Sequence, residues 1–378
     1  MIYRKLGKTN IDVSAVGLGT EYLYNVPKDT VVSVVHQALE NGINYIDLVY
    51  AFPEYRDNLA LALKGYRDSV VLAGHLGSSQ RDGQYRRTHQ KKESEEYFSD
   101  LLERLCSDYV DILFLHNVNT DSEYEKVMGK NGLLKLAIKY KKEGKCRFIG
   151  MSLHNFSVAV RAAACGEIDV VMVPFNLLSH AVPEKRELLK TCALQNIGLI
   201  AMKPFGGGRL ISENRSIYLP KYLTGKNEYR IKKSVTITPI QCMSYILSHF
   251  EVCTVLPGVK SNYELKDLLK YFKADYEEKD FSRIIKYYER YQEGECVYCN
   301  HCLPCPVAID IAEAIRFSDA IKNNIIDDLN DHHKRIIEKA SSCIECGECV
   351  KRCPFGVDVV TKIKELGSLK RKKEFHFK

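Results

Sequence analysis

No run of roughly eighteen apolar residues occurs in this 378-residue chain, so no membrane-spanning helix is expected. The N-terminus, MIYRKLGKTN, lacks the apolar core of a signal peptide, and a cytoplasmic location with no membrane partner is the expectation. A strong imbalance of charge is absent too. Lys and Arg number 55 against 48 Asp and Glu, a net charge of +7, part of which sits in the tail LKRKKEFHFK at 369–378. One short basic run reads as a solvated end, so a nucleic-acid partner is not expected; docking of an acidic redox protein is the stronger functional reading. Cysteine is scarce over most of the chain. Only Cys106, Cys146, Cys165, Cys192, Cys242 and Cys253 precede residue 296, scattered through apolar segments as small buried hydrophobes. The other eight crowd into residues 296–353. Structural disulfides are rare in the cytosol, so that crowding needs another explanation.

What is present over the first 270 or so residues is alternation. Buried-type strand runs at 13–20, 44–49, 69–76, 109–117, 147–153, 169–176, 198–205 and 253–259 are separated by amphipathic stretches such as TVVSVVHQALENG and LLKLAIKYKKEG. Eight strands, each followed by a helical segment, are the pattern of parallel βαβ units and the number that closes a (β/α)8 barrel. An open doubly wound sheet is the competitor. It calls for GxGxxG after the first strand, which GLGT at 17–20 does not supply. The predicted fold class is therefore α/β, a TIM barrel, to which the two cysteine runs CVYCNHCLPCP and CIECGECVKRCP add a small α-helical ferredoxin-like iron–sulfur domain. The expected boundaries are barrel 1–272, helical linker 273–292, cluster domain 293–366 and basic tail 367–378.

The iron–sulfur expectation rests on two runs. CIECGECVKRCP at 343–354 has the spacing C-x2-C-x2-C-x3-C-P of bacterial ferredoxins, and CVYCNHCLPCP at 296–306 differs by one residue before its last cysteine. Three thiolates two residues apart wrap three corners of a [4Fe-4S] cube, while the fourth points elsewhere. In two-cluster ferredoxins that fourth cysteine ligates the other cluster. Two [4Fe-4S] clusters are thus expected, one on Cys296, Cys299, Cys302 and Cys353, the other on Cys343, Cys346, Cys349 and Cys305. Zinc is the alternative, but it favours separated C-x2-C pairs over evenly packed runs. His301, inside the first run, is expected beside a cluster or exposed.

The segments NYIDLV, DYVDILFLHNV, RFIGMSLHNF, MKPFGGG and LPGVKSN, in that order, resemble aldo-keto reductases. Together with the cysteine runs, the chain resembles the branch of that family bearing a C-terminal two-[4Fe-4S] domain. The resemblance implies a carbonyl reductase acting on a small molecule with NADPH or NADH, using an Asp, Tyr, Lys and His tetrad at the C-terminal face of the barrel. Asp47 matches the aspartate and His116 the histidine. The tyrosine position holds Phe52 and the lysine position His75. An Asp47–His75 pair could hold a protonated imidazole as the replacement acid. Tyr50, or Tyr55, could supply a phenol from a shifted loop.

For the cofactor the resemblance points to Thr20, Ser152, Lys203, Gly206, Gly207, Gly258 and Lys260, with Gly208 completing the glycine run. Leu153, Met172 and Met202 replace an asparagine, a glutamine and an aromatic ring usual in the family. Three functions remain open from these residues: a nicotinamide-linked oxidoreductase, a reductase fed through the clusters by a ferredoxin- or flavodoxin-like partner, and a non-catalytic electron-transfer or scaffold protein.

Overall fold

A computed structural model of the chain describes residues 1–211, 237–285, 288, 296, 298, 300–322, 329 and 331–369. These divide into two compact units, one of residues 1–205 and 238–291, the other of 206–237 and 292–378.

The first unit begins with an antiparallel pair, β1 (Tyr3–Lys5) and β2 (Asp12–Ser14). Eight parallel strands then form one sheet: β3 (Leu18–Gly19), β4 (Tyr45–Leu48), β5 (Val71–Leu76), β8 (Val110–Leu115), β9 (Cys146–Ser152), β10 (Val170–Pro174), β11 (Gly198–Met202) and β12 (Val252–Leu256). Neighbours follow chain order, and the bridges Val16↔Val255 and Gly19↔Gly258 join the last strand to the first. The sheet is therefore a closed barrel, as expected. Each barrel strand is followed by a helix, from Lys28–Glu40 after β3 to Asn262–Leu269 after β12.

The strands are apolar on both faces because helices cover the outside while side chains fill the inside. Every residue of β5 (VLAGHL) and β8 (VDILFL) is buried. Asp111 is tolerated there because Arg67 and Arg147 pair with it at 3.0 and 2.7 Å and the Leu72 amide donates to it at 2.9 Å. Tyr45, Ala73, Ile112, Phe114, Met172, Ile200 and Leu256 pack in one interior cluster, which Leu6 and Val13 of the N-terminal pair join. The run at 13–20, expected as a single strand, is thus divided between β2 and β3.

Two further strands interrupt the βα alternation. β6 (Ser78–Arg81) and β7 (Gln84–Arg87) form a hairpin directly after β5. Its two-residue turn, Asp82-Gly83, has φ of +51° and +72°, the type I′ geometry for which Asp-Gly is a favoured pair.

The described residues of the linker expected at 273–292 group with the barrel unit. Gln241 donates to Asp280 O at 3.0 Å, and Tyr245 meets Phe281 edge-on at 5.5 Å. Residues 206–237, expected with the barrel, group with the second unit, where Arg316 donates to Gly207 O. Of the scattered cysteines, Cys146, Cys192, Cys242 and Cys253 are buried, as expected. Cys165 is half-buried and Cys106 is exposed, because Cys106 takes the left-handed position (φ +47°) that ends the helix Lys91–Leu105.

The second unit is helical among its described residues. Helices Ile311–Lys322, Asp331–Ala340 and Val359–Ser368 enclose a core of Ile309, Ile315, Phe317, Ile337, Ile363 and Leu366. No helix among the described residues is long and apolar enough to cross a membrane.

Candidate functional site

Asp47 lies near the C-terminal end of β4, His75 near that of β5, and His116 directly after β8. These three strands are neighbours, so parallel pairing brings residues far apart in sequence to one mouth of the barrel. His75 Nε2 is 2.9 Å from Asp47 Oδ1, and His75 Nδ1 is 2.9 Å from His116 Nδ1. The His75 ring lies against Phe114 of the adjacent strand, centroids 5.2 Å apart. The expected Asp47–His75 pair is therefore present, and His116 extends it.

A fourth member comes from the hairpin, which sequence reasoning passed over. Tyr85 of β7 places its hydroxyl 2.6 Å from His116 Nε2. The hairpin is held firmly enough to fix that contact. Ser78 donates to Val49 O at 2.5 Å, Tyr97 to Gln80 O at 2.8 Å, and Arg87 reaches Asn117 O and Glu123 at 2.8 and 2.7 Å. The sequence signal that could have located it is Asp82-Gly83 between SSQR and QYRR.

The directions of these bonds follow from Asp47, which as a carboxylate only accepts. A neutral His75 then donates from Nε2, leaving its Nδ1 to accept from His116 Nδ1–H. His116 Nε2 is left bare and accepts from Tyr85 O–H. His116 is neutral in this arrangement: burial, first, and then neighbouring charges that include Arg87 push it well below the usual histidine range. All four side chains are buried, Asp47 at 7%, His75 at 5%, His116 at 3% and Tyr85 at 5% exposure.

The other tyrosines are engaged elsewhere. Tyr50 places its hydroxyl 3.3 Å from Glu21 and packs edge-on against Tyr85, centroids 5.5 Å apart. Tyr55 accepts from the Val49 amide at 3.2 Å and shares a hydrogen bond with Thr20; burial raises its pKa above the ordinary phenol value. Phe52, which the resemblance aligns with the family tyrosine, stacks on Tyr24 with centroids 4.3 Å apart.

Among the expected cofactor residues, Thr20 is fully buried and donates to Asp47 O at 2.5 Å, which braces β4 from beneath. Ser152 accepts from the Asn117 amide at 2.9 Å. The side-chain Nδ2 of Asn117 is buried without a hydrogen-bond partner among the described residues. Lys203 is ion-paired with Glu21 at 3.0 Å. The Lys260 amide donates to Glu264 at 2.7 Å, and its ammonium lies 5.7 Å from the Tyr22 ring centroid. Gly258 lies under Tyr22, where an added Cβ would come within 2.2 Å of the ring. Gly206 and Gly207 belong to the second unit.

In that second unit Cys305, Cys343, Cys346 and Cys349 line one cavity, with Pro306, Ile309 and Ile363 among its walls. The last thiol of the first run thus opens onto the same space as the first three of the second run. Arg352 ties the two runs together by donating to Cys302 O at 3.0 Å and Pro304 O at 2.7 Å. The Tyr298 amide donates to Cys296 Sγ at 3.3 Å. Cys299 lies outside the described residues, and His301 is buried. The donor set around the cavity is all thiol, which fits an iron–sulfur cluster.

The profile of the Aldo/keto reductase family matches residues 15–289, and that of the 4Fe-4S dicluster domain matches residues 294–357. L-galactose dehydrogenase of Arabidopsis thaliana is 28% identical over 281 residues, covering 68% of this chain and 84% of its own length. The solved aldo-keto reductase AKR11C1 from Bacillus halodurans, in its holo form, is similar with a TM-score of 0.61 and 23% identity, over 77% of this chain and 97% of that one. A putative aldo-keto reductase from Pseudomonas aeruginosa gives 0.56 and 19%, over 71% and 93%. These two structures speak to the fold alone.

Proposed function

The chain belongs to the aldo/keto reductase family and is an oxidoreductase carrying a 4Fe-4S dicluster domain, and from that premise we propose that its barrel interconverts a carbonyl and a hydroxyl group on a small molecule with NADPH or NADH. The observation that carries the reading is the hydrogen-bonded group of Asp47, His75 and His116 at the barrel mouth. A degenerate barrel has no need of three buried polar side chains linked there, since each is costly unless it is paired.

The residues present fit a nicotinamide carboxamide. Asn117 offers a buried amide nitrogen with no partner among the described residues, next to Ser152, whose hydroxyl keeps a proton to donate. Asn117 would thereby replace the family asparagine that is Leu153 here. Lys203 and Lys260 would supply charge toward the cofactor phosphates, Lys203 exchanging its bond to Glu21 for that contact. The nicotinamide, when bound, supplies or accepts a hydride at the substrate carbon.

Two [4Fe-4S] clusters complete the proposal, with Cys305 joining Cys343, Cys346 and Cys349, and Cys353 joining Cys296, Cys299 and Cys302. The cavity lined by the first four thiols supports the exchange between runs. When bound, such clusters carry single electrons, and a ferredoxin- or flavodoxin-like protein is the partner suited to exchange them.

The test is fluorescence titration of anaerobically purified protein with NADPH and NADH, followed by assay with 4-nitrobenzaldehyde and with L-galactose. Micromolar binding of one nucleotide with turnover of either compound is expected. Absence of binding to both nucleotides would move the barrel to electron input through the clusters.

A further inference from the structure

Neither the tyrosine nor the lysine of the family tetrad stands at its usual position, yet the mouth holds a phenol bonded through two imidazoles to a carboxylate. From this geometry we propose that Tyr85 is the catalytic acid–base of this enzyme and that His116, His75 and Asp47 form a proton relay behind it. The proposal rests on the carbonyl–hydroxyl reading above and deepens it.

In the direction of oxidation the substrate hydroxyl gives its proton to Tyr85 Oη as the phenol proton passes to His116 Nε2. The Nδ1 proton of His116 moves to His75 Nδ1. His75 becomes an imidazolium whose charge faces the Asp47 carboxylate at 2.9 Å. The carbinol C–H bond would break with its electron pair going to the oxidised nicotinamide, when bound, as the carbonyl forms. The relay ends one proton richer and loses that proton to solvent. Reduction runs the same bonds backward, starting from the protonated relay: Tyr85 protonates the carbonyl oxygen and is reprotonated from His116.

Every hydrogen bond needed exists in the resting state: Tyr85 to His116 at 2.6 Å, and His116 to His75 and His75 to Asp47 at 2.9 Å each. Asp47 has the part that a buried carboxylate has behind a catalytic histidine, fixing the tautomer and stabilising the imidazolium. The resting relay holds no extra proton, so oxidation starts directly from it, whereas reduction first needs a proton from solvent. The groups whose charge sets this balance are Asp47 on β4, Tyr85 and Arg87 on β7, His89 after it, and His154 after β9. Oxidation should therefore slow as falling pH protonates the relay, and reduction should slow as pH rises.

The experiment uses full-length holoprotein. With [15N]histidine labelling at pH 7.5, the expected spectrum shows His116 protonated on Nδ1 and His75 on Nε2. Tyr85→Phe should move the His116 Nε2 resonance while leaving His75 Nε2 in place. The opposite tautomers, or an unmoved His116, would overturn the relay. In kinetics Tyr85→Phe should lower kcat about 100- to 1,000-fold in both directions, with nucleotide affinity and melting temperature preserved. Unchanged or increased turnover, which a tyrosine merely plugging the site would give, overturns the assignment, as does the same pH trend in both directions. Asp47→Asn, which can donate to His75 and reverse its tautomer, is the second variant. Its His75 resonance should switch even if turnover is lost. The tautomer measurement does not need nucleotide, so the relay and the nicotinamide reading fail separately.

Discussion

The two units build their chemistry in opposite ways. In the cluster unit the expected ligands lie within 58 residues of one another, since they run from Cys296 to Cys353, and their spacing is itself the motif. In the barrel, Asp47, His75, Tyr85 and His116 come from separate strands and a hairpin, and no local pattern connects them. A cube of fixed size demands thiols at fixed intervals along a turn, so its signature is written in sequence. A proton relay demands only that nitrogen and oxygen atoms meet within hydrogen-bond reach, and parallel strands deliver them from any sequence distance. A motif search therefore finds the first site whole, whereas in the second it reaches Asp47, His75 and His116 through matched strand ends and misses Tyr85.

The largest effect that tests this contrast is removal of iron. Anaerobic chelation should unfold the cluster unit while the barrel stays folded, read by limited proteolysis and circular dichroism, because the thiols belong to that unit's core. Cooperative loss of the barrel as well would erase the distinction between the units. More finely, Cys305→Ser and Cys343→Ser should each cost about half the iron and leave the same residual spectrum, if the two residues share a cluster. Different residual spectra would return each run to its own cluster.

Next in size, His75→Ala should lower kcat by about 100-fold or more, with nucleotide affinity kept, because it breaks the link between His116 and Asp47. Turnover within a few-fold of wild type would reduce Asp47 and His75 to structural residues.

Acid should weaken the barrel by a smaller amount. His116 and His154 are both held well below the usual histidine range, chiefly by burial. The unfolded chain therefore binds more protons than the native one once pH falls through about 6.5, and stability drops with falling pH. The slope is about 1.4 kcal/mol per pH unit for each histidine, checked by urea unfolding at pH 7.5 and 5.5. A flat profile would mean that the two rings are protonated in the native state.

Smallest, Gly83→Ala should cost about 1 kcal/mol, since φ of +72° strains any side chain while no atom lies near enough to clash. A modest fall in kcat should accompany it as Tyr85 loosens. Gly150→Ala is the contrasting case, because its Cβ would come within 2.5 Å of the Phe114 ring against which His75 lies.

The barrel was legible because eight buried-type runs alternate with amphipathic ones, and Asp47 and His116 were legible because each stands in a matched strand end. The ends of the linker region were not legible, because residues 276–285 read as charged helix yet pack through Phe281 and Ile284 onto the barrel. Tyr50 and Tyr55 looked suitable by closeness in sequence to the vacant position, but closeness along a chain leaving a strand does not fix where a phenol points. The hydroxyl of Tyr50 reaches Glu21 and that of Tyr55 reaches Thr20.

By itself, then, the sequence determined the alternation that closes the barrel, the family to which it belongs and the thiol spacing of the second unit, because each depends on periodicity or short intervals. Only the tertiary structure decided which phenol stands on His116. That is a question of which atoms meet after strands pair and loops turn, and pairing of that kind is fixed by packing across the whole unit.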